Sequence, residues 1–367
     1  MKSFEVNVNA DIIKWSLKTI NMPEYVLISK MKINRDKFEK WLNNTDKLTY
    51  IQLQKLSKIV NVSPLIFLSD KIPEDKPMNV FRTYIGTMEK SYKTLLKIKH
   101  INFLQNIASD LYDNLNMDKE PEIERYDANS NPQEVAIDER RKFFDFDDQL
   151  HSKNRYDALN KFKNKVEACN IIVMQLPFDD IRGFSVINKK PFFIVLNSRD
   201  TPESRIFSLF HEYAHILLGQ NESNMDDNYN TDDKIEQWCN NFASYFLIND
   251  NIIKLNYEKY SSIDETVNHI ASRYKLSHSM IFYRLYKLGY IRDFQSVYKK
   301  FMGNKIVANK KVSGGNYIVK IRSEYGNKFI NLINENYEKN EITLDDALTY
   351  LGTKISTYNQ LVKTVNQ

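Results

Sequence analysis

Three short apolar runs interrupt a chain whose apolar residues elsewhere recur at helical spacing. The runs are NIIVMQL (170–176), GFSVI (183–187) and FFIVLN (192–197), and they are separated by PFDDIR and NKKP. Short apolar runs bounded by turn-forming residues are typical of buried strands. The sequence therefore predicts an α+β, mostly helical protein, with a small three-stranded sheet whose strands are joined by tight connections.

A helix is predicted directly after the third run, over DTPESRIFSLFHEYAHILLG. Asp200 or Thr201 can cap its first turn, and Glu203 can supply the acid of a capping box. Gly219 is predicted to end the helix. The motif HExxH therefore lies well inside a helix.

The HExxH motif has the spacing of a metal site. His211 and His215 are four residues apart and share one helix face, so both imidazoles can reach one cation. Glu212 is displaced by about 100° around the axis, where it can act as a base without being a ligand. Catalytic zinc usually takes three protein ligands, so a third is expected. The alternative is a pair of hydrogen-bonded core histidines.

The third ligand is expected within a short distance downstream. The acidic candidates are Asp226, Asp227, Asp232, Asp233 and Glu236. Glu236 is preferred because it lies inside the next predicted helix, KIEQWCNNFASYFLI (234–248), on one face with Asn240 and Ala243. The aspartates fall in a polar stretch, 221–233, that is predicted to be a solvated loop.

Two further features fit cleavage of a peptide bond. The backbone edge of FFIVLN is predicted to bind an extended peptide by strand addition. A donor for the developing oxyanion is also expected, and Arg182, Tyr213 and Tyr229 are the candidates.

The N-terminal region is patterned as five short helices over residues 10–68, which fits a helix-turn-helix domain. Residues 1–71 carry the whole net charge of +5, which is compatible with nucleic acid. Within NRDKFEKWLNN, Arg35 and Lys37 could reach bases or phosphates, with Asn43 and Asn44 near the DNA backbone. The alternative is that this domain docks a partner protein or the peptidase domain.

Four regions are predicted along the chain. They are a helix-turn-helix domain (1–72), a connector with a long helix at 91–116 and an acidic loop at 118–150 (73–152), a zincin-like core with a following helix pair (153–291), and a helical C-terminal domain (292–367). No stretch is long and apolar enough to span a membrane, and the N-terminus lacks an export signal. We therefore expect a cytoplasmic protein in which Cys169 and Cys239 are free thiols.

The segments RGFSVINKKPFFIVLNSRD, FSLFHEYAHILLG and IEQWCNNFASYFL closely resemble the ImmA/IrrE metallopeptidases. The chain is similar to the long members that begin with an XRE-type helix-turn-helix domain, over roughly residues 10–90 and 153–355. The resemblance implies zinc ligands at His211, His215 and Glu236, with Glu212 as the base.

The resemblance also implies a biological role in a stress, phage or toxin–antitoxin locus. The first hypothesis is a regulatory zinc endopeptidase that cleaves a repressor or partner protein. The second is an antitoxin or transcription regulator that binds DNA or a toxin, such as a PIN-type nuclease, with little or no proteolysis. A protein partner, DNA and self-association are expected in these hypotheses, and a membrane is not.

Overall fold

The computed structural model describes residues 4–73, 90–143, 151–219, 229–303 and 317–365. These residues fall into two compact units. The first unit comprises the chain up to Leu104 together with residues 179–181, and the second comprises residues 105–178 and the chain from Arg182 onward. The four-region division of the sequence remains a prediction.

The first unit contains the five predicted helices, a two-stranded antiparallel pair and the start of a long helix in which the unit boundary falls. Its elements are β1 (Glu5–Val6), α1 (Ala10–Lys18), α2 (Glu24–Met31), α3 (Arg35–Leu42), β2 (Leu48–Thr49), α4 (Tyr50–Val60), α5 (Pro64–Phe67) and α6 (Tyr92–Asn114). The Ser63 side chain caps α5 by accepting the Leu65 backbone N–H. Pro23 is the N-cap residue of α2.

The second unit contains a three-stranded sheet surrounded by helices. Its elements are α7 (Pro132–Phe143), α8 (Arg155–Ala168), β3 (Ile171–Leu176), β4 (Gly183–Val186), β5 (Phe192–Asn197), α9 (Pro202–Leu218), α10 (Tyr229–Leu247), α11 (Asp250–Lys259), α12 (Ile263–Tyr274), α13 (His278–Lys287), α14 (Phe294–Gly303), α15 (Tyr317–Tyr325), α16 (Asn327–Glu338), α17 (Leu344–Tyr350) and α18 (Ile355–Val365). The predicted α+β, mostly helical class is confirmed. Among the described helices, none has the length and apolar character needed to cross a membrane.

The strand order of the sheet is β3–β5–β4, which corrects the predicted role of the third apolar run. β5 pairs in parallel with β3 and antiparallel with β4, so both of its backbone edges are occupied. The prediction that FFIVLN offers its edge to a peptide is therefore wrong, because that segment is the central strand. The connection over residues 177–182 does not join neighbouring strands, since β3 and β4 lie on opposite sides of β5. Only β4 and β5 form a hairpin.

Helix α9 packs against β4, β5, α8 and α10. The Thr201 side chain accepts the Ser204 backbone N–H at its first turn, and Gly219 ends it in the left-handed conformation, as predicted. Glu203 does not form the predicted capping box, because Thr201 and not Asp200 is the N-cap and Glu203 is then one residue too early. Its carboxylate lies 3.5 Å from the Arg155 guanidinium.

The acidic segment that precedes α7 is bound to the C-terminal end of α9. The last carbonyls of a helix lack partners within the helix. The Arg125 guanidinium donates to the carbonyl of Ile216, and the Tyr126 backbone N–H donates to that of Leu217 at 3.1 Å. The Trp238 indole of α10 donates to the Ser130 carbonyl at 2.7 Å. The segment therefore links the C-terminal end of α9 to the middle of α10.

Gly326, between α15 and α16, lies where a side chain cannot fit. Its φ is +77°, and a methyl group there would overlap the Val173 carbonyl of β3 and come within 2.7 Å of Glu167 Oε1. We expect Gly326→Ala to lower the free energy of unfolding by about 3 kcal/mol, the sum of backbone strain and overpacking. Chemical denaturation measures this change.

Gly289→Ala is the matched control for that prediction. Gly289 has a similar φ of +79°, but no heavy atom lies within 4 Å of the position of the added methyl. Its substitution should cost only the backbone strain of about 1 kcal/mol. If both substitutions lowered the free energy of unfolding by the same amount, the close approach of Gly326 to β3 would contribute nothing to the loss of stability.

Candidate metal centre

The two histidines of the motif converge from one face of α9. His211 Nε2 and His215 Nε2 are 3.3 Å apart, because one helical turn separates the two residues. Both side chains are largely buried, with 15% and 18% of the side-chain surface exposed. The imidazoles therefore point their Nε2 atoms at a common position beside the helix.

Glu236 brings a carboxylate from α10 to the same position. Its Oε2 lies 3.4 Å from His211 Nε2, and its Oε1 lies 3.3 Å from His215 Nε2. In a tetrahedral zinc site with bonds of 2.0–2.1 Å, the ligand atoms are about 3.3–3.4 Å apart. One ligand atom from each of the three residues lies within 4.8 Å of the others, so the two nitrogens and the carboxylate are close enough together to hold one cation.

Aromatic contacts position α10 against α9. The rings of Phe210 and Phe246 stack with their centroids 4.1 Å apart, and Phe242 lies 6.3 Å from Tyr213. Ala243 on α10 is fully buried, so a small side chain lies on the packed face of this helix. This packing places Glu236, one to two turns before Phe242, beside the histidines.

The charges of the site favour a bound cation. Burial alone would raise the pKa of Glu236, but hydrogen bonds to His211 and His215 and their charges outweigh it, and its pKa lies well below the usual range. Burial alone would lower the pKa of His211, but Glu236 and the charge of Glu212 outweigh it and raise its pKa. The cluster therefore attracts positive charge, either a proton or a metal ion.

Glu212 lies next to the three candidate ligands and faces β4. Only 8% of its surface is exposed. Burial is the largest influence on its carboxyl group and raises its pKa, although the charges of His211 and His215 and a hydrogen bond from Ser185 act in the opposite direction. A buried carboxylate whose pKa is raised accepts a proton more readily than an exposed glutamate does.

Two residues that sequence reasoning did not assign touch this group. The Ser185 hydroxyl is hydrogen-bonded to Glu212, and a methyl on Gly183 would lie 3.6 Å from Glu212 Oε1. Both belong to β4. Asn240, noted only for sharing a face with Glu236, also forms a side-chain hydrogen bond with His211.

Tyr213 is excluded as an oxyanion donor by its position. It is two residues after His211, so its side chain lies on the opposite face of α9. Its hydroxyl is buried and donates to Glu139 Oε2 at 2.8 Å. Glu139 Oε1 accepts a second hydrogen bond from the Tyr126 hydroxyl. Tyr213 therefore joins the helix to α7 and belongs to the core.

The remaining candidates from the sequence are placed only in part. The backbone carbonyl of Arg182 accepts the Asn197 N–H, which puts this residue at the start of β4. Asp226 and Asp227 lie outside the described residues, as do the side chains of Asp232, Asp233 and Tyr229. The predicted loop at 221–233 is helical from Tyr229 onward, where α10 begins.

The four candidate DNA-contacting residues lie at the two ends of α3. Arg35 is exposed, and its guanidinium is paired with Glu39 at 2.9 Å on the same helix. Lys37 is half-buried, and its backbone N–H donates to the side chain of Asn34, the N-cap residue. Asn43 is the C-cap residue, and Asn44 follows it with a φ of +56°. DNA binding by these residues stays a prediction.

A helix with two histidines one turn apart, joined by an acid from the following helix, is typical of metallopeptidase domains of the HExxH class. Residues 165–286 match the family model described as the IrrE N-terminal-like domain, Peptidase M78. The resemblance to the ImmA/IrrE metallopeptidases is therefore confirmed for this part of the chain, which contains all four candidate site residues. A search among curated proteins found no match.

Proposed function

We propose that this protein is a zinc-dependent endopeptidase that cleaves another protein, with His211, His215 and Glu236 as ligands and Glu212 as the base. The observation that supports it best is the spacing of the ligand atoms, 3.3–3.4 Å between each histidine nitrogen and its nearest partner atoms. A pair of histidines serving only the core would not need a third group at the tetrahedral distance.

The three donor groups, two imidazoles and one carboxylate, are suited to zinc and to hydrolysis of a peptide bond. Two imidazoles and one carboxylate are the ligands of several zinc peptidases, and they leave a coordination position open. Bound zinc would act as a Lewis acid that polarises a peptide carbonyl and makes water nucleophilic at neutral pH. Glu212 is not among the ligand atoms that converge, so its carboxylate is available to accept a proton and deliver it to the leaving amine.

The geometry of the sheet offers a path for the substrate along β4, which replaces the prediction for FFIVLN. In the antiparallel pair with β5, the Arg182 carbonyl accepts the Asn197 N–H, so residues 182, 184 and 186 form the hydrogen-bonded pairs. The backbone groups of Gly183 and Ser185 then point away from β5. A peptide added to this edge would pass the two residues that touch Glu212.

The binding hypothesis differs from this proposal in its requirements. An antitoxin or transcription regulator would need a toxin or DNA surface, and it would not need a poised carboxylate beside a metal centre. The buried Glu212 next to three converging ligand atoms therefore favours hydrolysis. The protein substrate is expected to be a repressor or a toxin partner, as the resemblance implies.

Zinc binding should be visible as a gain in stability. A ligand that binds only the folded state at a free concentration of about 100 times its Kd stabilises by about 2.7 kcal/mol. For a domain of this size we expect zinc to raise Tm by about 5–10 °C over the chelator-treated protein. Differential scanning calorimetry with and without zinc measures the shift.

Two variants serve as the test and the control in the calorimetric experiment. His215→Ala should lose most of the shift, because it removes a ligand. His269→Ala should keep it, because His269 lies on α12 and packs against Tyr260, with a ring-centroid distance of 4.8 Å. An unchanged shift in His215→Ala would contradict the metal site.

Cleavage itself is tested by incubating the zinc-loaded protein with the protein encoded by the neighbouring gene. Mass spectrometry then detects new N-termini in that protein.

A further inference from the structure

We propose that Ser185 is a positioning residue for Glu212, holding its carboxylate against β4 in the orientation from which it accepts a proton. The inference rests on the proposed hydrolase function but concerns a residue outside the HExxH motif and outside the ligand set. The Ser185 hydroxyl is hydrogen-bonded to Glu212, so its effect is exerted through Glu212.

The contact is made in a buried part of the site. Ser185 is 1% exposed and lies on β4, opposite Ile194 of β5. Its hydroxyl donates to the carboxylate of Glu212, which is itself 8% exposed. A buried hydroxyl and a buried carboxylate are both costly without a partner, and each satisfies the other here.

Gly183 completes the surface on which Glu212 rests. Side chains alternate along a strand, so residues 183 and 185 face the same side of the sheet. A methyl at position 183 would lie 3.6 Å from Glu212 Oε1, 3.7 Å from its Cγ and 3.0 Å from the Val195 carbonyl. The absence of a side chain at this position lets the Glu212 side chain lie directly on the strand, within reach of the Ser185 hydroxyl.

The surrounding charges explain why a fixed hydrogen bond is needed. His211 and His215 attract the Glu212 carboxylate, whereas the carboxylate of Glu236 repels it. Charge–charge forces fix distance better than direction, because they depend weakly on angle, while a hydrogen bond is directional. The Ser185 hydroxyl therefore selects one orientation of a carboxylate whose terminal torsion is otherwise broad.

Loss of the hydrogen bond between Ser185 and Glu212 should lower the turnover rate and leave the binding of zinc and of the peptide unchanged. The rate depends on the placement of the proton acceptor, and groups that orient catalytic residues typically contribute about 10–100-fold. Zinc binding does not involve Ser185, so metal content should not change. The Michaelis constant should stay within about threefold of the wild-type value, because the hydroxyl does not contact the peptide.

The experiment compares three substitutions in the full-length, zinc-loaded protein. Ser185→Ala removes the hydroxyl, Ser185→Cys keeps the volume with a weak donor, and Ser185→Thr keeps the hydroxyl. A mixture of fluorescence-quenched peptides of varied sequence is the substrate probe. Crystal structures of each variant show the conformation of Glu212.

We expect Ser185→Ala and Ser185→Cys to lower kcat by about 10–100-fold and to show Glu212 displaced or in more than one conformation. Ser185→Thr should restore the wild-type conformation and most of the turnover. Ser16→Ala is the matched control, because Ser16 is a fully buried serine of the first unit whose hydroxyl donates to the Ile13 carbonyl at 2.7 Å.

The two proposals can fail separately. If the wild-type protein binds zinc but cleaves none of the peptides or the neighbouring gene product, the endopeptidase proposal fails. The crystal structures still decide the role of Ser185 in that case. An unchanged Glu212 conformation in Ser185→Ala, or a wild-type kcat in that variant, overturns the positioning role.

Discussion

Glu212→Gln is expected to lower the rate of peptide-bond cleavage by about 10²–10⁴-fold, which is the usual contribution of general acid–base catalysis. Glutamine has nearly the same shape, so it should keep the contacts with Gly183 and Ser185 on β4. It cannot accept the proton from water. Single-turnover cleavage of the partner protein, followed by mass spectrometry, measures the rate.

Zinc content separates loss of the base from loss of the site. Glu212 is not one of the three converging ligand groups, so Glu212→Gln should bind zinc as the wild-type protein does. Glu203→Gln is the control on the same helix, because its carboxylate pairs with Arg155 at the first turn. If cells carrying Glu212→Gln kept the full biological effect of the wild-type protein, the hypothesis that this protein acts by binding would replace the hydrolase proposal.

The geometry of the candidate metal centre could be predicted from the sequence because it is mostly local. Helical spacing alone places His211 and His215 on one face, and the structure brings their Nε2 atoms to 3.3 Å. The sequence favours Glu236 because it lies inside the predicted helix 234–248, and its carboxylate lies next to both imidazoles. The predicted contrast with the aspartates is wrong for Asp232 and Asp233, which also belong to α10. Its role as a metal ligand stays a prediction until metal is measured.

The order of the strands could not be predicted from local patterns. All three apolar runs are fully buried, so none shows the alternation that marks a half-exposed edge strand. Chain order made FFIVLN the natural neighbour of the substrate, because it directly precedes α9. The position of β5 between β3 and β4 is a long-range property, and it makes β4 an edge strand beside α9.

The other contacts that could not be predicted from the sequence join segments that are distant in the chain. Ser185 is a single polar residue within an apolar run, and nothing in its neighbours indicates that it reaches Glu212. The acidic segment has no periodic pattern, yet Arg125 and Tyr126 bind the end of α9 and Glu139 accepts from Tyr213. Such contacts depend on the packed fold and leave no spacing signal.

Glu236→Gln is expected to weaken zinc binding by about 10²–10³-fold. Complete zinc sites bind with about 10–16 kcal/mol, so one ligand among four contributes about 3–4 kcal/mol. The amide is a neutral and weaker donor, and it removes the charge that raises the pKa of His211. Competition with a chromophoric chelator measures the affinity.

The matched control is Glu258→Gln, which removes an exposed carboxylate on α11 and should leave the affinity unchanged. Asp226 and Asp227, the alternative candidates for the third ligand, provide a test that could contradict the role of Glu236. If Asp226 or Asp227 were the third ligand, Asp→Asn substitutions there would lose zinc while Glu236→Gln kept it. We expect the reverse, because each imidazole Nε2 lies 3.3–3.4 Å from an oxygen of the Glu236 carboxylate, so this carboxylate is positioned next to both histidines.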